Sequence, residues 1–157
     1  MLPENLRQHA VAAAVEAFDA DAVTEGTFDR GELTLEVAAH KIVSICGFLK
    51  YDQKFIRLST VTAVDRYPSE PRFEVVYHLH AVEQKQRVRL KCRVRGLDPV
   101  IESVTSVWRS ANWYEREVFD LFGIQFLQHP NLSRIMMPDD WEGHPLRKDY
   151  PITGTRI

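Results

Sequence analysis

Chemistry in this chain would have to come from a few polar clusters, and each has a structural use that competes with it. His78 and His80 stand two apart, a spacing that projects both imidazoles from one face of a strand, where they could hold a metal ion. No acid or thiol follows at a matching spacing, so solvent-facing strand histidines are the plainer reading. Cys46 falls on the apolar stripe of a helical stretch and Cys92 on the apolar face of a strand, which makes both small core residues rather than nucleophiles. The glycines are scattered and form no phosphate loop, and neither HExxH nor CxxC occurs.

Two groupings are denser. Lys85, Arg87, Arg89, Lys91, Arg93 and Arg95 occupy every second position, so a strand would project them all from one side. That row is either a solvated sheet face, answered by Glu74 and other acids on neighbouring strands, or a docking surface for an acidic protein. Residues 1–38 show that acid is available, with eight carboxylates against Arg7 and Arg30. Nucleic acid is the weakest reading, because residues 85–95 contain no aromatic group on which a base could stack. The second grouping is WYEREVFDLFGI, from Trp113 to Ile124. Glu115, Arg116, Glu117 and Asp120 alternate in charge, Arg116 and Asp120 are one helical turn apart and able to pair, and Trp113, Phe119 and Phe122 make an aromatic stripe. Such patterning suits a solvated helix face or a desolvated protein–protein seam. Further on, WEGHPLRKDYP brings Trp141, His144, Arg147, Lys148, Asp149 and Tyr150 together; Trp, Tyr and Arg are the usual interface anchors, and a monomer is expected to leave them poorly satisfied.

The elements that must hold these groups can be read from periodicity. Leu6, Ala10, Val11, Ala14, Val15 and Phe18 predict one helix over 3–19, with Pro3 in its first turn. Val23–Phe28 and Leu33–Val37, joined by Asp29-Arg30-Gly31, read as a strand pair; 39–51 reads as a helix and Phe55–Val64 as a strand ending near Tyr67-Pro68. Residues 73–81 and 88–94 alternate cleanly and pair about a turn at Gln84-Lys85, which sets Leu79 opposite Leu90 and Glu74 opposite Arg95. Asp98-Pro99 reads as the cap of a short helix over 100–107, followed by a helix over 111–122 closed by Gly123 and a last strand over 124–127. From Gln128 onward prolines recur at 130, 138, 145 and 151, which excludes a long helix, yet the segment is too rich in large apolar groups to be a disordered tail.

Composition bounds the rest. The chain has 157 residues, 45% hydrophobic and 27% charged, with net charge -2: enough for one domain and one core, and no bulk charge to draw a polyanion. Two cysteines are too few for an iron–sulfur cluster or a four-thiolate zinc site within this chain. No apolar run approaches the roughly 18 residues needed to cross a bilayer, and the N-terminus lacks a secretory or transit pattern, so a soluble, reduced, cytosolic protein is expected.

At this point the residues resemble a known family. The run Glu115-Arg116-Glu117-Val118-Phe119-Asp120-Leu121-Phe122-Gly123-Ile124, then His129-Pro130-Asn131-Leu132 and Arg134-Ile135, resembles the signature of the 30-kilodalton subunit of respiratory complex I, the C subunit of the proton-translocating NADH:quinone oxidoreductase. The ending Asp139-Asp140-Trp141-Glu142-Gly143-His144-Pro145-Leu146-Arg147-Lys148-Asp149-Tyr150-Pro151 is similar to that family's ending, and Val76-Tyr77-His78-Leu79 with Arg87-Val88-Arg89-Leu90 also fits. The likeness is strong from about residue 73 to 151. Ser133 departs from it, standing where a basic residue or proline is expected.

The resemblance implies a member of the hydrophilic arm, on the cytoplasmic side of a bacterial membrane and peripheral to it. It implies no catalytic residue, cofactor or metal on this chain; NADH, FMN, iron–sulfur clusters and quinone would belong to partner subunits. Its neighbour would be the larger D subunit, which helps to form the quinone site, with the C-terminal segment wrapped on it. Glu115, Arg116, Glu117 and Asp120 would form a charge network near that seam. His129, Arg134, Trp141, His144, Arg147, Lys148, Asp149 and Tyr150 would dock the partner. The expected architecture is α+β: a small, mostly antiparallel or mixed sheet with packed helices over 1–127, then an extended docking segment over 128–157. The rivals are the equivalent subunit of a membrane-bound hydrogenase or other quinone-linked dehydrogenase and, more distantly, an RNA or acidic-protein binding module using the 85–95 cations.

Overall fold

The computed structural model describes residues 4–153. Its elements are α1 (Glu4–Arg7), α2 (Ala10–Phe18), β1 (Val23–Asp29), β2 (Glu32–Val37), α3 (Ile42–Tyr51), β3 (Arg57–Asp65), β4 (Phe73–Ala81), β5 (Gln86–Val94), β6 (Val100–Glu102), α4 (Ala111–Phe122) and β7 (Gln125–Leu127). The five longer strands form one sheet in the order β1-β2-β5-β4-β3, antiparallel except where β2 runs parallel to β5. Strands β6 and β7 make a separate parallel pair. This is the expected α+β fold with a mixed sheet, and residues 128–153 add turns and irregular backbone without helix or strand.

Local chemistry accounts for the connections. Between β1 and β2 only Arg30 and Gly31 remain unpaired, with φ of 52° and 79°. Two positive φ values in a two-residue loop match the right-handed twist of the strands, and Gly31 adopts its value without a Cβ penalty. On the buried face of the sheet, Leu33 and Leu35 of β2, Val88, Leu90 and Cys92 of β5, and Phe73, Val75, Tyr77 and Leu79 of β4 are all essentially inaccessible. Cys46 packs into the same core, and burial holds both thiols well above their ordinary range, as small apolar residues rather than nucleophiles.

Three expectations need correction. The N-terminal helix is broken: α1 stops at Arg7, His9 takes an extended conformation (φ -84°, ψ 115°), and its ring packs at 5.0 Å on Phe28 of β1 while Leu6 stays in the core; Pro3 lies outside the described residues. The β4–β5 pairing slips by two residues, so Leu79 faces Val88 and Glu74 faces Arg93. The cause is the connection, which spans four residues from Val82 to Lys85 instead of a tight turn at Gln84-Lys85. An even slip leaves every side chain on its expected face. Finally, residues 100–102 form β6 and no helix. Asp98 has φ 47°, far from the extended backbone of an N-cap, and the β-branched Val100 and Ile101 pair with Gln125 and Phe126.

Candidate docking site

Helix α4 is the element around which the polar clusters collect. Ala111, Glu115, Val118 and Phe122 form its buried stripe, and the helix packs against β3. A carboxylate on an apolar stripe needs partners. Glu115, fully buried, accepts hydrogen bonds from the Ser103 hydroxyl (2.6 Å) and the Val104 N–H (2.8 Å), which pins the turn after β6 to the helix. Burial pushes its pKa up to about 7, against the opposing pull of those two bonds. His129 Nε2 lies 3.9 Å from the same carboxylate. Its Nδ1 accepts the Asn131 N–H (3.0 Å), so the proton sits on Nε2, which donates to the Asn112 carbonyl (3.2 Å).

Helical spacing sets Asp120 beside Arg116, but the two do not pair. Asp120 Oδ1 accepts Arg134 (2.6 Å), and its Oδ2 accepts three successive backbone N–H groups, of Ile135 (3.0 Å), Met136 (2.7 Å) and Met137 (2.9 Å). Burial would raise its pKa, but the Met137 amide, Arg134 and the other amides together hold it below the ordinary carboxylate range. Arg134 is spent as fully: its second amino group donates to the carbonyls of Trp141 and Gly143, both at 3.0 Å. Arg116 lies over the Trp113 ring and donates to the Ser133 carbonyl (3.0 Å) and hydroxyl (2.9 Å). Ser133 thus supplies a hydroxyl acceptor that neither proline nor a basic side chain offers.

The C-terminal carbonyls of α4 complete the picture. A helix leaves its last carbonyls without intrahelical partners, and they attract cations and donors. Here Phe119 O takes the Gly123 N–H (2.8 Å), Asp120 O takes Arg134 and His144 Nδ1 (2.9 Å), Leu121 O takes the Leu146 N–H (3.0 Å), and Phe122 O takes Arg147 Nε (2.6 Å). Gly123 is required twice: its φ is +73°, and a Cβ there would collide with His144 and Arg147. Beyond this point the irregular segment 128–153, which lies along α4 as a strap, reaches the sheet. Arg72 grips Asp65 with Nε (2.9 Å) and Nη2 (2.8 Å) and Asp149 with Nη1 (3.0 Å) and Nη2 (2.6 Å), and the Lys148 N–H donates to Asp65 (2.8 Å). Burial opposes ionisation of Asp65, but the Arg72 fork and the two amides on it bring its pKa down to about 2. Trp141 Nε1 donates to the Tyr150 hydroxyl (3.1 Å) within the strap.

The expectation that a monomer leaves this segment unsatisfied is therefore corrected. Arg134, His144, Arg147, Lys148 and Asp149 bond to α4 and the sheet of their own chain, because the helix end and the Asp65–Arg72 pair supply the acceptors and donors they need. Asp65, Arg72 and Ser103 join the site without any sequence motif to mark them. Large apolar groups are nonetheless turned outward here: Trp113 of α4 is 62% exposed, Met136 61% and Leu146 52%, with Ile135 beside Met136; around them Glu117 of α4 and Asp139, Asp140, Glu142 and Lys148 of the strap are exposed as well.

On the opposite face of the sheet, the cation row is answered in register. Arg89 pairs with Glu32 (2.6 Å), Lys91 with Glu74 (3.0 Å), and Arg93 with Glu36 (3.4 Å) and Glu74 (3.3 Å). The solvated-face reading accounts for these cations. Among the described residues, no group of three or more metal-ligating side chains converges, and no helix is long and apolar enough to cross a membrane.

Comparison with known proteins gives a consistent result. A family model described as the 30-kilodalton subunit of the respiratory-chain NADH dehydrogenase matches residues 35–156. The C subunit of the NADH-quinone oxidoreductase of Geobacter sulfurreducens is 51% identical over 154 residues, covering 98% of this chain and 93% of the relative. The protein of the same name from Cereibacter sphaeroides is 45% identical, covering 98% and 76%. Among solved structures, the trypsin-resistant fragment (1-134) of Nqo5 superposes with a TM-score of 0.66 at 30% identity over 76% of this chain and 97% of the fragment. A chain of the membrane-bound sulfane sulfur reductase, an archaeal respiratory membrane complex, does so with a TM-score of 0.75 at 32% identity over 90% of this chain and 84% of that one.

Proposed function

Because the chain belongs to the 30-kilodalton subunit family of the respiratory-chain NADH dehydrogenase, we propose that it serves as the C subunit of a bacterial NADH:quinone oxidoreductase, a structural member of the hydrophilic arm. Its 51% identity to a protein of that name, against 32% to the reductase chain, favours the NADH-linked complex over a hydrogenase-like machine. In this reading the chain carries no catalytic group: NADH, FMN, iron–sulfur clusters and quinone are handled by partner subunits. It joins the membrane through the complex, on the cytoplasmic side, and its principal neighbour is the D subunit at the quinone site.

One observation carries the mechanical reading. Arg116, Asp120, Arg134 and Arg147 are consumed in bonding the strap to α4, while Trp113 of α4 and Ile135, Met136 and Leu146 of the strap stay exposed as large apolar groups among charged ones. The buried polar residues thus shape and stiffen the docking surface, and the exposed apolar ones make the contact with the partner. Paired Trp113→Ala and Met136→Glu replacements should lower recovery of the large partner on a tagged chain from native membranes several-fold, with the chain's own melting point unchanged. Unaltered recovery would remove this face from the interface. Flavin or iron–sulfur absorbance in the purified chain, or NADH oxidation by it alone, would overturn the non-catalytic assignment.

A further inference from the structure

At the hairpin end of the sheet, far along β4 from the strap, the neutralisation of the cation row breaks. The solvent face there holds a recess of about 270 Å³, walled by Ser59, Thr60, His78, His80, Arg87 and Arg89. Cross-strand pairing explains the convergence: Thr60, His78 and Arg89 lie opposite one another on β3, β4 and β5, and Arg57, His80 and Arg87 form the next row. Arg89 is already matched by Glu32 and by the Thr34 hydroxyl (3.3 Å). Arg87 is different. Among the described residues its side chain makes one hydrogen bond, from Nε to His80 Nε2 at 2.8 Å, and no carboxylate lies within ion-pairing distance.

That bond has two consequences. A guanidinium has no acceptor, so His80 Nε2 must accept, which leaves the imidazole neutral with its proton on Nδ1 as a further donor. It also fixes one edge of the Arg87 fork while leaving the two amino groups free for a planar, two-oxygen partner. The recess therefore holds an uncompensated cation: its one carboxylate, Glu32, is taken by Arg89, while the Arg87 amino groups have none, and His80 Nδ1 and the Ser59 and Thr60 hydroxyls can donate beside them, with Leu33, Leu79 and Val88 completing the lining. We infer that this recess binds a single oxyanion group, a carboxylate or a phosphate, with Arg87 as its principal ligand. The volume suits one such group and no extended polyanion, and the pairing of Arg89, Lys91 and Arg93 with Glu32, Glu74 and Glu36 removes the broad positive face that a large acidic partner would need.

The test uses the full isolated chain at constant ionic strength. Inorganic phosphate, and separately a glutamate blocked at both ends, are titrated while the imidazole NMR signals of His78 and His80 are followed. Saturable shifts at His80 are expected. Arg87→Gln should weaken the binding about tenfold or more, the usual worth of a charge-assisted fork. Arg93→Gln, the same change of charge at a cation already paired, should leave it unaltered. Tighter binding of phosphate identifies a free anion as the occupant, and tighter binding of blocked glutamate identifies a carboxylate side chain of a partner; either supports the site. Shifts that do not saturate, or that fall equally in Arg93→Gln and Arg87→Gln, reflect the diffuse field of the sheet and overturn the proposal.

Discussion

The β5 cation row and the seam between strap and α4 are made of the same side chains, but they do different work. On the sheet, Glu32 and Arg89 are 46% and 32% exposed and each is one member of an ion pair that water could replace. At the seam, Asp120 is wholly buried and Arg134 is 14% exposed, and between them they hold three backbone amides and three carbonyls. Exposed pairs contribute roughly 0–1 kcal/mol because solvent screens them and two long side chains must be ordered. A buried pair is costly to form but far costlier to break, since the survivor is stranded without water. The lesson is that the number of charged contacts says little; what matters is how many backbone groups would be orphaned when one charge is removed.

The comparison can be broken first at Asp120. Asp120→Ala leaves three amides without their acceptor and the Arg134 charge without its carboxylate, and should cost about 3–5 kcal/mol in urea unfolding, with faster tryptic cleavage after Arg134. A loss below about 1 kcal/mol would place the seam in the same class as the surface row.

Glu115 sharpens the same contrast through pH. Its folded pKa of about 7 lies above the ordinary 4.5, so the folded chain holds a proton that the unfolded chain has released. Its contribution is fully present below about pH 4.5 and is lost as pH rises through about 7, by at most about 3 kcal/mol. Glu115→Gln should flatten that decline in a series of urea melts, because an amide keeps bonds to both Ser103 and Val104. Asp65 works in the opposite sense. With its folded pKa near 2, its stabilisation is present above the ordinary carboxylate range and disappears as pH falls toward 2, so the acid limb of the same profile should flatten in Asp65→Asn.

Gly123→Ala should cost about 1–2 kcal/mol from the left-handed backbone alone, and the collision with His144 and Arg147 should add to it; thermal melts measure the sum. The smallest change is expected of Glu32→Gln, under about 0.5 kcal/mol and shrinking further in high salt. A larger, salt-insensitive loss there would mean that the sheet face is as tightly organised as the seam.

Much of this arrangement could be read from the sequence, for reasons that differ by residue. Alternation over 73–94 and the 3.6-residue period over 111–122 arise from local sterics and a single buried face, so strands β4 and β5, helix α4 and the Gly123 cap were legible. The two-residue slip of β4 on β5 was not, because both registers bury the same faces and only the four-residue connection decides between them. Over 98–107 a helix-cap signal competed with β-branched Val100 and Ile101, and pairing with the distant strand β7 decided for the strand. The network of Asp65, Arg72 and Asp149 was invisible because its members are far apart with no local pattern, as the 83-residue span of the Lys148–Asp65 bond illustrates. The composition of the strap announced a packed seam but could not say with whom: Trp, Arg and Asp dress a seam in the same way whether its far side belongs to the same chain or to another.

That long separation has a bearing on synthesis. Asp65 and Arg72 leave the ribosome early, yet the donor and acceptor that complete their bonding, Lys148 N–H and the Asp149 carboxylate, follow 83 and 77 residues later. The sheet can pair and α4 can coil and take its Gly123 cap before then, but the carbonyls of Leu121 and Phe122 stay without their donors until Leu146 and Arg147 emerge. A truncated or stalled translation product therefore lacks the finished strap and the outward face it presents. Closure of the seam thus requires the chain to be made through Asp149, the residue that completes the Arg72 fork.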